Sequence, residues 1–302
     1  PLPELLLSSH VDDWVNGKLS NFDYIMLLNQ FAGRRAGDPD FHPVLPWVID
    51  FTSQTAWRDL SKSKYRLAKG DEQLDSQFAN RSDTTRYHVQ DMMSELTFFN
   101  YFARKTPVSV LQKYVRNNFQ PNEYPASMER LYQWTPDECI PEFYADPTIF
   151  KSIHPNMADL AVPEWATDVE HFLQLHREAL ESDQVSENLH NWFDITFGYK
   201  LSGEEGKKAK NIALMERDRL HNHGFLQLFG IPHPRKKSKA LQAQTTLKMK
   251  KGTNNSKKKK RTKAEQTKEA LASFLKRFDF AEDNADKKQR RDTGLDPSSK
   301  EA

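Results

Sequence analysis

The chain has 302 residues, 37% of them hydrophobic, with 44 Lys and Arg against 42 Asp and Glu and a mean hydropathy of −0.80. Its length suits one large domain or two modest ones, and no apolar run reaches the roughly eighteen residues of a membrane-crossing helix, which excludes a transmembrane segment here. The single cysteine, Cys139, excludes an internal disulfide framework and a CxxC zinc site and fits a reducing compartment.

Charge and aromatic content divide the chain near Pro234. Residues 235–263 carry 13 Lys and Arg and no acid, whereas residues 1–234 carry 23 bases against 33 acids and hold 31 of the 34 aromatic side chains. An acidic, aromatic-rich globule is therefore followed by a basic, polar tail.

In chain order, residues 1–11 read as a lead-in, and the opening at Pro1 rather than Met reads as a piece of something longer. Ser20 is placed to cap a helix that carries Phe22, Ile25, Leu28 and Ala32 on one stripe and stops near Gly33. Met92, Leu96, Phe99 and Phe102 give a second stripe. Thr106 before Pro107 reads as a cap with a first-turn proline, leading into Val110, Leu111, Tyr114 and Val115. A capping box at Thr135-Pro136-Asp137-Glu138 predicts a helix cut short by Pro141. Another, Thr167 with Glu170, precedes Phe172, Leu173, His176, Ala179 and Leu180. A last helix is expected over 204–221.

Between these helices lie apolar stretches interrupted by proline: Pro43-Val44-Leu45-Pro46-Trp47-Val48-Ile49, Ile140-Pro141-Glu142-Phe143-Tyr144 and Leu160-Ala161-Val162-Pro163-Glu164-Trp165. Proline offers no ladder donor, so these predict buried extended peptide outside any sheet, with side chains satisfying its backbone. The fold class expected is mainly α, with irregular extended segments through the core and a largely disordered basic tail. Within that tail, residues 235–263 read as a disordered linker and 264–280 as an amphipathic helix carrying Leu271, Phe274, Leu275 and Phe278; residues 281–302 read as a disordered end.

Ordered blocks of sequence then carry a resemblance. Asn21-Phe22-Asp23-Tyr24-Ile25-Met26, Leu28-Asn29, Ala32-Gly33-Arg34 and the Pro43 to Val48 run resemble the opening of a BEACH (Beige and Chediak-Higashi) domain. Arg58-Asp59-Leu60-Ser61-Lys62, Ile140-Pro141-Glu142-Phe143, Leu189-His190-Asn191-Trp192-Phe193-Asp194 through Phe197-Gly198-Tyr199-Lys200, and Gln227-Leu228-Phe229 with Pro232-His233-Pro234 resemble its later blocks. The resemblance covers about 12–234. The run from Tyr124 to Cys139 is similar to one branch of that family. Departures are Ser63 and Glu164, where the family usually has proline, and Arg35-Ala36-Gly37 in place of a serine-led sequence.

The resemblance implies a mostly helical fold and a non-enzymatic scaffold of vesicle, endosome–lysosome and autophagy traffic. Similarity to that branch implies a link to phosphatidylinositol 3-phosphate control and autophagic clearance. Implied partners are other trafficking and autophagy proteins, and the WD repeats and further modules of the parent chain. No cofactor is implied. Arg34, Arg35, Tyr199 and Lys200, in or beside the distinctive blocks, are candidate partner-binding residues.

His221 and His223 are two apart and share a helix face in no register, so with His233 they chelate a metal only in a special loop. Cys139, between Glu138 and Ile140, lacks an adjoining base and reads as buried structure. Asp59, Glu142, Glu181 and Asp194 are available as acid–base carboxylates for a hydrolase-like alternative, but no GxxxxGK[ST] or GxSxG motif accompanies them; they read as ion-pairing and backbone-satisfying groups. Asp23-Tyr24-Ile25-Met26-Leu27 is superficially similar to a motif for ubiquitin-like autophagy proteins, yet it falls inside a helix expected to be core. Lys257, Lys258, Lys259, Lys260 and Arg261, with Phe274 and Phe278, are candidates for an anionic membrane surface; nucleic acid or nuclear import is the rival, and a solvated linker the plain reading.

Overall fold

The computed structural model describes residues 2–51, 57–80, 93–211 and 227–238. Where a lead-in was expected, the chain forms α1 (Leu2–Val15), whose Trp14 is fully buried. Ser20 then accepts a hydrogen bond from the Asp23 N–H and starts α2 (Asn21–Phe31). Eight residues of α2 are buried, Asn21 and Asn29 among them, so it is packed on nearly every side. Gly33, at φ +77°, turns the chain out of it.

The next stretch is extended and buried, as the prolines require. Val44, Leu45 and Trp47 are fully buried, and the stretch makes only isolated bridges, Leu45 with Cys139 and Ile49 with Trp57. Short helices α3 (Lys64–Lys69) and α4 (Asp71–Ala79) follow, the first capped by Ser63 through the Arg66 N–H. The serine that departs from the family's usual proline is thus a helix cap.

Helix α5 (Glu95–Tyr101) is capped by Ser94 and buries Thr97, Phe98, Phe99 and Tyr101. Its expected stripe is rotated, since Leu96 points to solvent and Met92 lies outside the described residues. Helix α6 (Val108–Tyr114) has Pro107, not Thr106, at its cap, because the Thr106 hydroxyl donates instead to the Phe102 carbonyl. Helix α7 (Met128–Trp134) starts at Ser127. The capping box expected at Thr135 forms no helix: Thr135 ends α7, donating to the Leu131 carbonyl, and Asp137 and Glu138 turn inward.

The Ile140 to Tyr144 stretch is likewise not extended throughout. Pro141 sits in helical geometry at the cap of the one-turn α8 (Glu142–Ala145). The third proline stretch is extended, with the Leu160 N–H donating to the Phe150 carbonyl and Ala161 bridged to Ser127, but its Trp165 is 45% exposed rather than buried.

Helices α9 (Val169–Leu180) and α10 (Asp183–Thr196) are the long amphipathic pair. Asp168 rather than Thr167 caps α9, accepting from the His171 N–H, and Ser182 caps α10. Of the helix expected over 204–221, α11 (Gly203–Lys208) is seen; it stops before Lys210, at φ +53°, and residues 212–226 lie outside the described residues.

Two groups of rings fill the core. Trp47, Phe143, Tyr144 and His176 stack face to face, with Tyr144 and His176 centroids 3.9 Å apart. Trp14, Tyr24, Phe193 and His233 form the second group at 4.8–5.7 Å. Such pairs add about 0.5–1.5 kcal/mol each beyond simple burial. The motif-like run at Asp23 belongs to this core: Tyr24 and Ile25 are fully buried. Among the described residues no helix is long and apolar enough to cross a membrane. The candidate helix at 264–280, with Phe274 and Phe278, and the run Lys257, Lys258, Lys259, Lys260 and Arg261 lie outside the described residues.

Candidate partner-binding face

Extended peptide without a sheet must find other hydrogen-bond partners, and the buried polar residues supply them. Asn29 holds Val44 on both sides: its Nδ2 donates to the Val44 carbonyl at 2.8 Å and its Oδ1 accepts the Val44 N–H at 2.9 Å. The Tyr144 hydroxyl donates to the Pro46 carbonyl, and Trp47 Nε1 to the Asp137 carbonyl. Cys139 is fully buried, and burial pushes its thiol up, well out of the range of a reactive thiolate.

Arg58 and Glu138 face each other as a fork, Nη1 to Oε2 at 2.5 Å and Nη2 to Oε1 at 2.6 Å, and Glu138 Oε1 also accepts the Lys64 N–H. Burial lowers the affinity of the Arg58 guanidinium for its proton, but the facing Glu138 carboxylate outweighs this and leaves it raised. The Lys64 ammonium donates to the Tyr132 and Thr135 carbonyls and lies 4.1 Å from the Tyr132 ring centroid; burial and then Arg58 pull it down to about 8.

The four carboxylates offered by the sequence for acid–base work fall to structural tasks. Glu181 accepts the Asn21 and Phe22 N–H groups with its two oxygens, closing the first turn of α2 from the end of α9. Glu142 meets His42, whose Nδ1 accepts from the Gly37 N–H, so the ring's proton is on Nε2, directed at Glu142 at 3.0 Å. Asp194 accepts the His233 N–H at 2.8 Å, with Lys200 Nζ 4.0 Å away; burial raises its pKa and those two contacts oppose the rise. Asp59 is the exception to core placement: it is exposed and caps the turn at Ser61.

Histidines follow the same pattern. His176 Nδ1 donates to the Phe143 carbonyl, and burial drops the ring to about 4; its Nε2 is buried without a partner, so the ring is only half satisfied. His233 Nδ1 donates to the Pro234 carbonyl and Nε2 accepts from the Tyr24 hydroxyl at 2.7 Å; burial holds it at about 4. His171 accepts at the surface from the Thr167 N–H. Among the described residues no three His, Cys, Asp or Glu side chains gather as for a metal, and His221 and His223 lie outside them.

Of the candidate partner-binding residues, Arg34 is buried, at 3% exposure, where its Nη1 donates to the His42 carbonyl and burial lowers its pKa to about 10. It ties the turn after α2 to His42 and cannot face a partner, which corrects the sequence expectation. Arg35 is exposed. Tyr199 and Lys200 are half-buried in a single 3-10 turn, Tyr199–Leu201, with Lys200 Nζ 5.5 Å from the Tyr199 ring centroid. Gly198 sets that turn down against α10, where a Cβ would lie 2.7 Å from Asp194 Cα and 3.0 Å from the Phe193 carbonyl oxygen. Asn211 clamps the same turn, donating to the Ile195 and Lys200 carbonyls.

Sequence reasoning named Asn21, Asn29 and Glu138 only as members of motifs and did not single out Asn211, and it assigned none of them a backbone tie. The available signal was their presence in apolar company: a lone amide or carboxylate between buried residues marks a backbone tie.

The Beige/BEACH domain model matches residues 12–265, beyond the boundary expected near Pro234, and the chain belongs to the BEACH family. Within it the chain is similar to human WD repeat-containing protein 81, 51% identical over an alignment of 247 positions that covers 76% of this chain and 13% of that protein. It is also 45% identical over 303 residues to "Probable inactive serine/threonine-protein kinase lvsG" of Dictyostelium discoideum, covering 76% of this chain and 14% of that protein. "Suppressor of organelle fusion 2" of Caenorhabditis elegans is 43% identical over 237 residues, 77% of this chain and 17% of its own length. The chain therefore spans less than a fifth of these relatives. None of these matches indicates a catalytic family.

Proposed function

We propose that the chain is a non-enzymatic scaffold module acting in endosome–lysosome membrane traffic and autophagic clearance, with a tie to phosphatidylinositol 3-phosphate control. The observation that carries the non-enzymatic reading is the engagement of the four candidate carboxylates: Glu142 meets His42, Glu181 holds the first N–H groups of α2, Asp194 holds the His233 N–H, and the exposed Asp59 is bonded to Ser61. Support for the setting comes from the similarity to a suppressor of organelle fusion and to WD repeat-containing protein 81. In this reading Arg35, Tyr199 and Lys200 meet trafficking partners or neighbouring modules of the parent chain, and Arg34 holds the turn that carries Arg35.

Proximity labelling around the full-length parent tests it. Endosomal and lysosomal neighbours are expected, and fewer of them with Arg35→Glu/Lys200→Glu; a set without such neighbours overturns the reading. We also propose that residues 235–280 bind anionic membrane reversibly through Lys257, Lys258, Lys259, Lys260, Arg261, Phe274 and Phe278. Each basic residue near such a surface contributes about 1 kcal/mol. In flotation with phosphatidylserine vesicles, Phe274→Ala/Phe278→Ala should float less than the parent; equal flotation sinks the membrane role and favours a site that reads only the lysines.

A further inference from the structure

A cavity of about 240 Å³ opens between α5, α7 and the segment after α6. Its rim carries two exposed apolar side chains, Trp134 at 54% and Leu96 at 50%. Tyr124 and Thr135, both nearly buried, also line it. The size is below the roughly 300–1,000 Å³ of sites that enclose a whole small ligand, so it accommodates one side chain of something larger.

The polar lining narrows the occupant. Asn118 and Gln120 line the cavity from exposed positions, and their side-chain amides make no hydrogen bond among the described residues. A carboxamide offers donor and acceptor together, which is what an extended main chain presents and a helix hides inside its own ladder. Arg116 is already engaged by Glu123. Arg130 lies outside the lining but beside the rim, its guanidinium 5.5 Å from the Trp134 ring centroid, with no carboxylate partner among the described residues. Tryptophan and arginine are both enriched among the few residues that dominate protein contacts.

We infer that this cavity docks a linear, extended peptide of a partner protein, which seats one large apolar side chain between Trp134 and Leu96. Its main chain bonds the Asn118 and Gln120 amides, and an acidic residue close by in sequence pairs with Arg130. The inference is independent of the face proposed around Arg35 and Lys200.

The test uses the 302-residue chain and an array of extended-favouring peptides, each holding a fixed Leu, Phe or Trp followed two positions later by Asp, Glu, Lys or Gln. Sequences with Asp or Glu should be selected over those with Lys, and their affinity, read by fluorescence polarisation, should fall about tenfold in both Trp134→Ala and Arg130→Glu. Asn118→Ala/Gln120→Ala should weaken binding by a smaller factor, and Trp165→Ala, a second exposed indole, should leave it unchanged. Arg130 is exposed, so its variant decides the matter if Trp134→Ala loses thermal stability. No selected peptide, no preference for the acid, or binding that survives Arg130→Glu overturns the inference.

Discussion

Two regions of the domain hold extended peptide by opposite means. Around Arg58, Glu138 and Lys64 the ties are charged and dry, with the Arg58 side chain fully buried. Around α2, apart from Glu181 at its first turn, they are neutral: Asn29 on Val44, Asn21 on the Leu180 carbonyl, and Tyr24 on a His233 ring that stays uncharged. A neutral tie loses only its own bonds when cut, whereas a cut charged tie strands an ion in the core.

The sharpest break should come from Glu138→Ala. It leaves the Arg58 guanidinium unpaired and the Lys64 N–H without its acceptor, for a loss of about 3–5 kcal/mol in urea unfolding. Replacing both Arg58 and Glu138 with Met should recover most of that loss, because no charge is then stranded.

Acid should act on the neutral side. His176 and His233 bind protons near 4 when folded and near 6.5 when unfolded, so their contribution is complete above 6.5 and drains away as pH falls toward about 4. Each ring accounts for about 3 kcal/mol across that window, and urea midpoints measured from pH 7 to 4 should fall accordingly. His233→Phe should flatten part of the slope. If the slope is unchanged, the ring is not held neutral.

Asn29→Ala removes the bonds to both main-chain groups of Val44 and should cost about 2–3 kcal/mol, with no dependence on salt. Ser63→Ala should cost about 1 kcal/mol as a lost cap. Arg35→Ala, at the surface, should shift stability by less than about 0.5 kcal/mol, and an effect above that would place Arg35 among the structural residues with Arg34.

What the sequence made legible follows from how local each signal is. The caps at Ser20 and the proline-bound course of 43–49 rest on neighbours within a few residues, and the structure matches them. The box at Thr135 failed because a distant residue competed for each of its members: Arg58 takes Glu138, and Ser94 donates to Asp137. Helix α8 escaped notice because Pro141, which limits a helix from within, also starts one well. Arg34 looked like a surface residue since arginine usually is one, and its tie to the His42 carbonyl, eight residues on, is not legible in residue type. The exposed Trp134 and Leu96 were unreadable for the complementary reason, since apolar type alone does not say which face of a short helix meets the core.

The bonds of Lys236 and Lys237 have a consequence for the start of the domain. The Lys237 N–H donates to the Val15 carbonyl, Lys236 Nζ reaches Asn21 and Leu19, and Lys237 Nζ reaches Asn16. The side-chain bonds lace together segments 215 to 221 residues apart. The turn between α1 and α2 is therefore fastened from beyond Pro234 as well as by its own neighbours.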